Sequence, residues 1–217
     1  MLPCVISIEG NIGSGKSTIL NILKTHFSKN PEICFLTEPV LEWQKICDSD
    51  GVDIIQKYYE NQEKYAFSFQ MMAYITRLRT LRKAMKDGYK YIVTERSPLS
   101  DKMIFAQMLY DDGKIEKINF EIYNQWFSTF FEDIPKINII YIKTEPNIAE
   151  KRVHNRSRRG EDIPLSYLVR CHQYHESWMD KKKGILTING NKDLTDQGFS
   201  AHIIASFNLF IQEIGST

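Results

Sequence analysis

The stretch IEGNIGSGKST at residues 8–18 narrows the possible folds more than any other feature of the chain. From Gly10 to Ser17 its spacing is G-x-x-x-x-G-K-S, the pattern of a phosphate-binding loop. Gly10, Gly13 and Gly15 let the backbone turn tightly and bring its N–H groups against phosphate oxygens. The helix expected from Lys16 points its positive end at the same anion. Lys16 adds a full charge, and Ser17 offers a hydroxyl to magnesium. Asn11, Ile12, Ser14 and Thr18 complete a loop suited to the phosphates of ATP or another nucleoside triphosphate. The plainer reading is a glycine turn between a strand and a helix. Strict spacing at such a junction favours phosphate binding. The loop does not reveal the fate of the γ-phosphate.

Such a loop needs a strand before it and a helix after it, and the flanks supply both. PCVISIEG (3–10) is an apolar, β-rich run, and Ile19, Leu20, Ile22, Leu23 and Phe27 recur at helical spacing within 16–29. Further strands are expected at 32–39, stopped by Pro39, and at 89–95, 137–143 and 184–190. The fourth is nearly all apolar, which predicts burial on both faces. Helical patterns fill 53–87 (two helices), 98–113, 119–133, 146–158, 164–182 and 199–214. Strands alternating with helices predict an α/β fold: a five-stranded parallel sheet flanked by helices, of the P-loop NTPase type. The 217 residues suit one domain, and 42% hydrophobic with 25% charged residues suits a packed core. A net charge of +1 implies no nucleic-acid partner. No apolar run approaches membrane-spanning length. With the first strand starting near Cys4, no signal or transit peptide is expected. Scattered Cys4, Cys34, Cys47 and Cys171 read as reduced thiols, so a cytoplasmic location is expected.

Ligands of parallel sheets sit at the carboxyl ends of the strands. That rim gathers EGNIG, TEPV and TERS, hence Glu38 and Glu95. Each carboxylate alone reads as a helix cap or surface ion pair; two at consecutive strand ends favour a site. Glu95 stands where an acidic magnesium partner is expected. Glu38 is left for another task, such as accepting a proton from an attacking hydroxyl. Arg96 can hold a carboxylate or a phosphate. Arg152, Arg156, Arg158 and Arg159 alone would read as a solvated helix end. Behind a phosphate loop they read as a mobile lid, about 152–163, that stabilises charge during phosphoryl transfer. Gln70 and Arg77 lie seven apart, on one helical face among aromatic residues, and can read the edge of a planar base or simply be solvated.

With these residues in hand, the chain resembles the deoxynucleoside kinase family, nucleoside- and monophosphate-kinase-like in fold with an arginine-rich lid. The resemblance runs from about Val5 to Asn189. It rests on IEGNIGSGKST, TEPVLEW, FSFQ with TRLR, ERSPLSD, NQW and the lid with IPLSYL. It implies transfer of a γ-phosphate to the 5′-hydroxyl of a deoxynucleoside. Glu38 resembles the general base and Arg96 the arginine that orients it; Ser17 and Glu95 resemble the Mg2+ partners. Tyr59 and Glu161 match the pair at the sugar 3′-hydroxyl, and Gln70 the base-pairing glutamine. Phe69, Phe105 and Trp43 match aromatic walls, with Ile12, Val40, Ile55 and Tyr58 beside them. Arg152, Arg156 and Arg158 match the lid. Arg77 and Asp101 resemble members that read cytosine or purines, so dC, dA or dG is expected over thymidine. A helix-mediated homodimer is also implied. Pro98, Leu99 and Lys102 depart from the animal enzymes, and the lid is a residue shorter than in some relatives. Those departures bear on base choice more than on reaction class.

Two other readings compete. A thymidylate-type monophosphate kinase needs a second phosphate-binding arginine and commonly shows D-R after the third strand, where this chain has ERS. A nucleotide-binding switch would need an N-K-x-D element; NGNKDL (189–194) lacks the intervening residue and reads as a loop near the donor base.

Overall fold

The computed structural model describes residues 2–156, 163–194 and 196–215. Five strands form one parallel sheet: β1 (Cys4–Gly10), β2 (Ile33–Leu36), β3 (Tyr91–Glu95), β4 (Ile137–Lys143) and β5 (Leu186–Asn189), in the order β2-β3-β1-β4-β5. β1 sits in the middle. Its register sets Ile8 beside Glu95 on one side and Glu9 beside Tyr141 on the other. As β-carbons alternate across a strand, Ile6 and Ile8 face one layer and Val5, Ser7 and Glu9 the other. Ile6 and Ile8 pack with α1 (Lys16–His26) and α10 (Gln197–Gly215) through Ile19, Leu23, Ile203 and Phe207. Val5 packs against α4 (Gln62–Lys86) through Leu81 and Ala84. β4 is buried along most of its length, as its apolar run predicts.

Several boundaries differ from the sequence reading. β2 ends at Leu36, so Glu38 lies in the turn beyond the strand. Pro39 then opens a four-residue helix, α2 (Val40–Trp43), that periodicity did not show. The two helices expected over 53–87 are α3 (Ile54–Glu60) and α4, parted at Asn61. Asp53 caps α3 through the N–H groups of Ile55 and Gln56, and Asn61 caps α4 through Lys64 N–H. The helix expected over 98–113 is a short helix α5 (Pro98–Ser100), a π-helical turn Asp101–Ala106 and α6 (Gln107–Asp111). Asp101 and Phe105, at the start and near the end of this turn, both line the central cavity. The remaining helices are α7 (Lys117–Phe131), α8 (Pro146–Arg156) and α9 (Leu165–Met179). Arg158, Arg159, Glu161 and Asp162 lie outside the described residues. No helix among the described residues is long and apolar enough to cross a membrane.

One loop glycine has a clear steric reason. Gly13 has φ 76, and a Cβ there would lie 2.3 Å from the backbone oxygen of Ala149. The loop therefore presses against the α8 backbone, which no other residue type would allow.

Candidate active site

The carboxyl ends of β1, β2 and β3 open onto a cavity of about 660 Å³. Its floor is the phosphate loop, with Ile12, Gly13, Gly15, Lys16, Ser17 and Thr18 on the lining. Gly10, Asn11 and Ser14 belong to the same loop but are not on the lining. Asn11 is buried; its Nδ2 donates to Leu168 O (2.8 Å), and its own carbonyl accepts Lys16 Nζ (2.7 Å). The loop is thereby tied to the start of α9. Burial first, and then Arg96, pull the Lys16 ammonium down to about 7 against the attraction of Glu95, Glu38 and Glu9.

Arg77 joins the three carboxyl-bearing elements. Only 5% exposed, it donates from Nε to Asp101 Oδ2 (2.9 Å), from Nη1 to the Glu95 carbonyl (3.2 Å) and from Nη2 to Glu38 Oε1 (3.0 Å). Its guanidinium also lies 5.5 Å from the centre of the Trp43 ring. Arg96 Nε is 3.4 Å from the same Glu38 oxygen, and its guanidinium sits 4.7 Å from the Phe105 ring centre. Burial would raise the Glu38 carboxyl, but Arg77, Arg96 and Lys16 together hold it down at about 2. Asp101 is deeper, and there burial outweighs Arg77 and raises the carboxyl. Arg96 thus does contact Glu38 as expected, but Arg77, read from sequence as a base-side residue, makes the closer bond.

The opposite wall is aromatic. Phe69 stacks on Tyr58 with centroids 4.5 Å apart and meets Trp43 edge-on at 5.7 Å. Trp43 is fixed by Nε1 donating to Thr76 Oγ1 (2.9 Å), and α2 by Arg79 gripping Glu42 (2.5 and 2.6 Å). Val40, Ile55, Tyr59 and Phe105 complete this side. Gln70 is buried on the lining, and its Oε1 has no protein partner. A buried amide oxygen left open in a cavity is a ready acceptor for an amino group.

At the rim, Ser17 Oγ donates to Glu95 Oε1 (2.5 Å). The described residues hold no group of three or more His, Cys, Asp or Glu side chains arranged for a metal. Two adjacent hard oxygens still fit magnesium, which takes few protein ligands beside phosphate and water oxygens. Arg152 and Arg156 of α8 also reach the cavity. Arg152 donates to three backbone carbonyls, of Ser14 (3.3 Å), Gly190 (2.8 Å) and Lys192 (2.9 Å). It ties the phosphate loop to the 189–194 loop, whose Asp193 and Leu194 reach the lining. Arg158 and Glu161, expected on the lid and at the sugar, lie outside the described residues. Sequence reasoning missed Tyr167, whose hydroxyl is 2.7 Å from that of Tyr58, and Asn155. The IPLSYL run contains the tyrosine but nothing that points it inward.

The pattern of the family described as "Deoxynucleoside kinase" matches residues 6–212. The chain is 36% identical over 219 residues to a protein named "Probable deoxycytidine kinase" of Fowlpox virus (strain NVSL), covering 96% of this chain and 88% of that one. It is 32% identical over 225 residues to deoxycytidine kinase of Homo sapiens, covering 88% and 85%. Against mitochondrial deoxyguanosine kinase of Xenopus laevis it is 27% identical over 209 residues, covering 87% and 78%.

Proposed function

Since this chain belongs to the deoxynucleoside kinase family, we propose that its site passes the γ-phosphoryl group of ATP, or of another nucleoside triphosphate, to the 5′-hydroxyl of dC, dA or dG in preference to thymidine. The observation that carries this reading is Arg77 bonded at once to Asp101 and Glu38 beside the phosphate loop. Glu38, kept ionised by its two arginines, accepts the 5′-hydroxyl proton. The O5′–P bond forms as the bond from the γ-phosphorus to its bridging oxygen breaks, and the nucleoside diphosphate leaves. Lys16 and the loop N–H groups take the charge on the phosphates. Ser17 and Glu95 would hold Mg2+, whose charge neutralises the phosphate oxygens when it is bound. Arg156 and, on the lid, Arg158 meet the transferring group. Arg152 belongs to the donor side as well, bracing the loops that hold the triphosphate. Tyr59 and Glu161 take the 3′-hydroxyl.

Gln70 with the Arg77–Asp101 pair presents donors and acceptors to an amino-bearing base, while the pair fills the space a thymine methyl would need. The names of the relatives, deoxycytidine and deoxyguanosine kinases, support the same choice. The test is a panel of dC, dA, dG and thymidine, each with ATP and Mg2+, beside dTMP as acceptor. Diphosphate release with the first three, and kcat/KM for thymidine at least tenfold lower, is expected. Preferential use of thymidine would overturn the base reading; use of dTMP alone would restore the monophosphate-kinase reading.

We read 1–217 as one kinase domain with its lid at about 152–163, and four unpaired cysteines suit a cytoplasmic location. We also propose a homodimer. Ile75 of α4 and Ile118, Ile122 and Trp126 of α7 are exposed apolar side chains on neighbouring helices, as a helix-mediated contact between two copies requires. Sedimentation should give twice the 25.4 kDa chain mass, and Ile122→Glu should give the monomer. A wild-type monomer at micromolar concentration would refute this.

A further inference from the structure

Glu9 is the penultimate residue of β1 and is 0% exposed. A carboxylate in that layer is costly unless its oxygens are bonded, and an apolar side chain there would avoid the cost. Its position is explained by what it holds. Glu9 Oε1 accepts two hydroxyls, Ser7 Oγ from its own strand (2.5 Å) and Ser97 Oγ from the turn after β3 (2.6 Å). Its Oε2 has no protein partner. The β1–β3 register, Ile8 beside Glu95, brings Glu9 level with that turn.

Arg96 lies in the turn, between Glu95 and Ser97. Its φ of 61 is the only positive value at a described residue other than glycine. A left-handed backbone at a bulky residue costs about 1–3 kcal/mol and persists only where surrounding bonds enforce it. β1 supplies two of these bonds: Ile8 O accepts Arg96 N–H (3.0 Å), and Glu9 accepts the Ser97 hydroxyl. The Ser97 carbonyl then accepts both the N–H (3.1 Å) and the hydroxyl (2.8 Å) of Ser100, which fixes the start of α5. Thr94 Oγ1 donates to the Arg96 carbonyl (2.9 Å). The turn is thus held on both sides of the strained residue. The guanidinium it presents reaches Glu38 and lies over Phe105, while Nη1 has no protein partner.

We infer that Glu9 is a positioning residue for phosphoryl transfer: through the Ser97 hydroxyl its carboxylate holds the left-handed Arg96 turn that aims the guanidinium at Glu38. This rests on Glu38 and Arg96 acting as proposed above. The Glu9 carboxylate touches no reacting atom. Its effect is geometric, and a misplacement on the order of 1 Å at such a site costs about 10²-fold in rate.

The experiment measures kcat, deoxynucleoside KM and thermal midpoint for Glu9→Ala, Glu9→Gln, Ser97→Ala and the Glu9→Ala/Ser97→Ala double. Glu9→Ala and Ser97→Ala should each lower kcat by roughly 10–100-fold, with KM changed by no more than a few-fold. Glu9→Gln keeps an acceptor oxygen for Ser97 and should recover most of the loss. The double should be no worse than the worse single, because the two residues act as one unit. Ser97→Ala removes a single oxygen and keeps the test open should Glu9→Ala fail to fold. Unchanged kcat per folded molecule in Ser97→Ala, multiplying losses in the double, or Gln no better than Ala would overturn the inference. Arg96→Ala and Glu38→Gln run in the same assay. If neither impairs turnover, the reading of the site fails; if both do while Glu9→Ala and Ser97→Ala do not, the Glu9 inference alone fails.

Discussion

Glu38→Gln should lower kcat by roughly 10²–10⁴-fold, the range that loss of a general base produces, with little change in deoxynucleoside affinity. The amide keeps the shape and can still accept from Arg77, so binding geometry survives while proton acceptance does not. Steady-state kinetics with a deoxynucleoside and ATP checks this, and near-normal turnover would remove Glu38 from the mechanism. The same variant carries a stability signature. The Glu38 carboxyl sits at about 2 in the fold, below its ordinary value of 4.5. A depressed carboxyl contributes stability that is fully present above 4.5 and is lost as pH falls toward 2. The wild type should therefore lose stability across that window more steeply than Glu38→Gln, as followed by urea midpoints. Equal slopes would show that the two arginines do not favour the charged form.

Arg77→Met should be the most damaging single change at the base side. It leaves Asp101 buried without its cation, which typically costs about 3–5 kcal/mol. For a chain of this size the thermal midpoint should fall by roughly 6–20 °C. Activity should fall further than stability alone explains, because Glu38 loses its closer partner and the Glu95 carbonyl loses a donor. Asp101→Ala leaves Arg77 with Glu38 and should be milder in both respects. The double Arg77→Met/Asp101→Ala removes the unpaired charge and opens room for a thymine methyl. It should recover much of the lost stability and raise thymidine kcat/KM relative to dC, dA and dG by at least tenfold, while absolute rates stay below wild type. A double variant with unchanged base ranking would show that this pair does not select the base. Pro98 and Leu99 would then be the next residues to exchange.

The parts legible in the sequence are those whose chemistry is local. GNIGSGKS needs only eight consecutive residues to declare itself, and the apolar run of β4 declares its burial. Gln70 and Arg77 are joined by helical periodicity, and both do reach the cavity. What sequence could not show depends on tertiary approach. The Arg77–Glu38 bond links residues brought together only by the sheet. Arg152 carries the charge of a phosphate ligand, yet in this fold three of its N–H donors go to backbone carbonyls. The π-helical turn at Asp101–Ala106 has the same apolar spacing as an ordinary helix, so it read as one. Glu9 looked like the end of a strand, because its partner Ser97 comes only with the turn after β3.

The central place of β1 has a consequence for how the chain is made. β1 is the first strand of the sheet in chain order, yet its two neighbours are β3 and β4. Parallel pairing cannot be completed by a local turn, so β1 waits for β3 on one side and longer for β4 on the other. Until residues 137–143 emerge, one backbone edge of an apolar strand stays open to other chains. At about 5–20 residues per second that exposure lasts many seconds. Holding factors that bind nascent chains should raise the yield of soluble protein without touching the folded state.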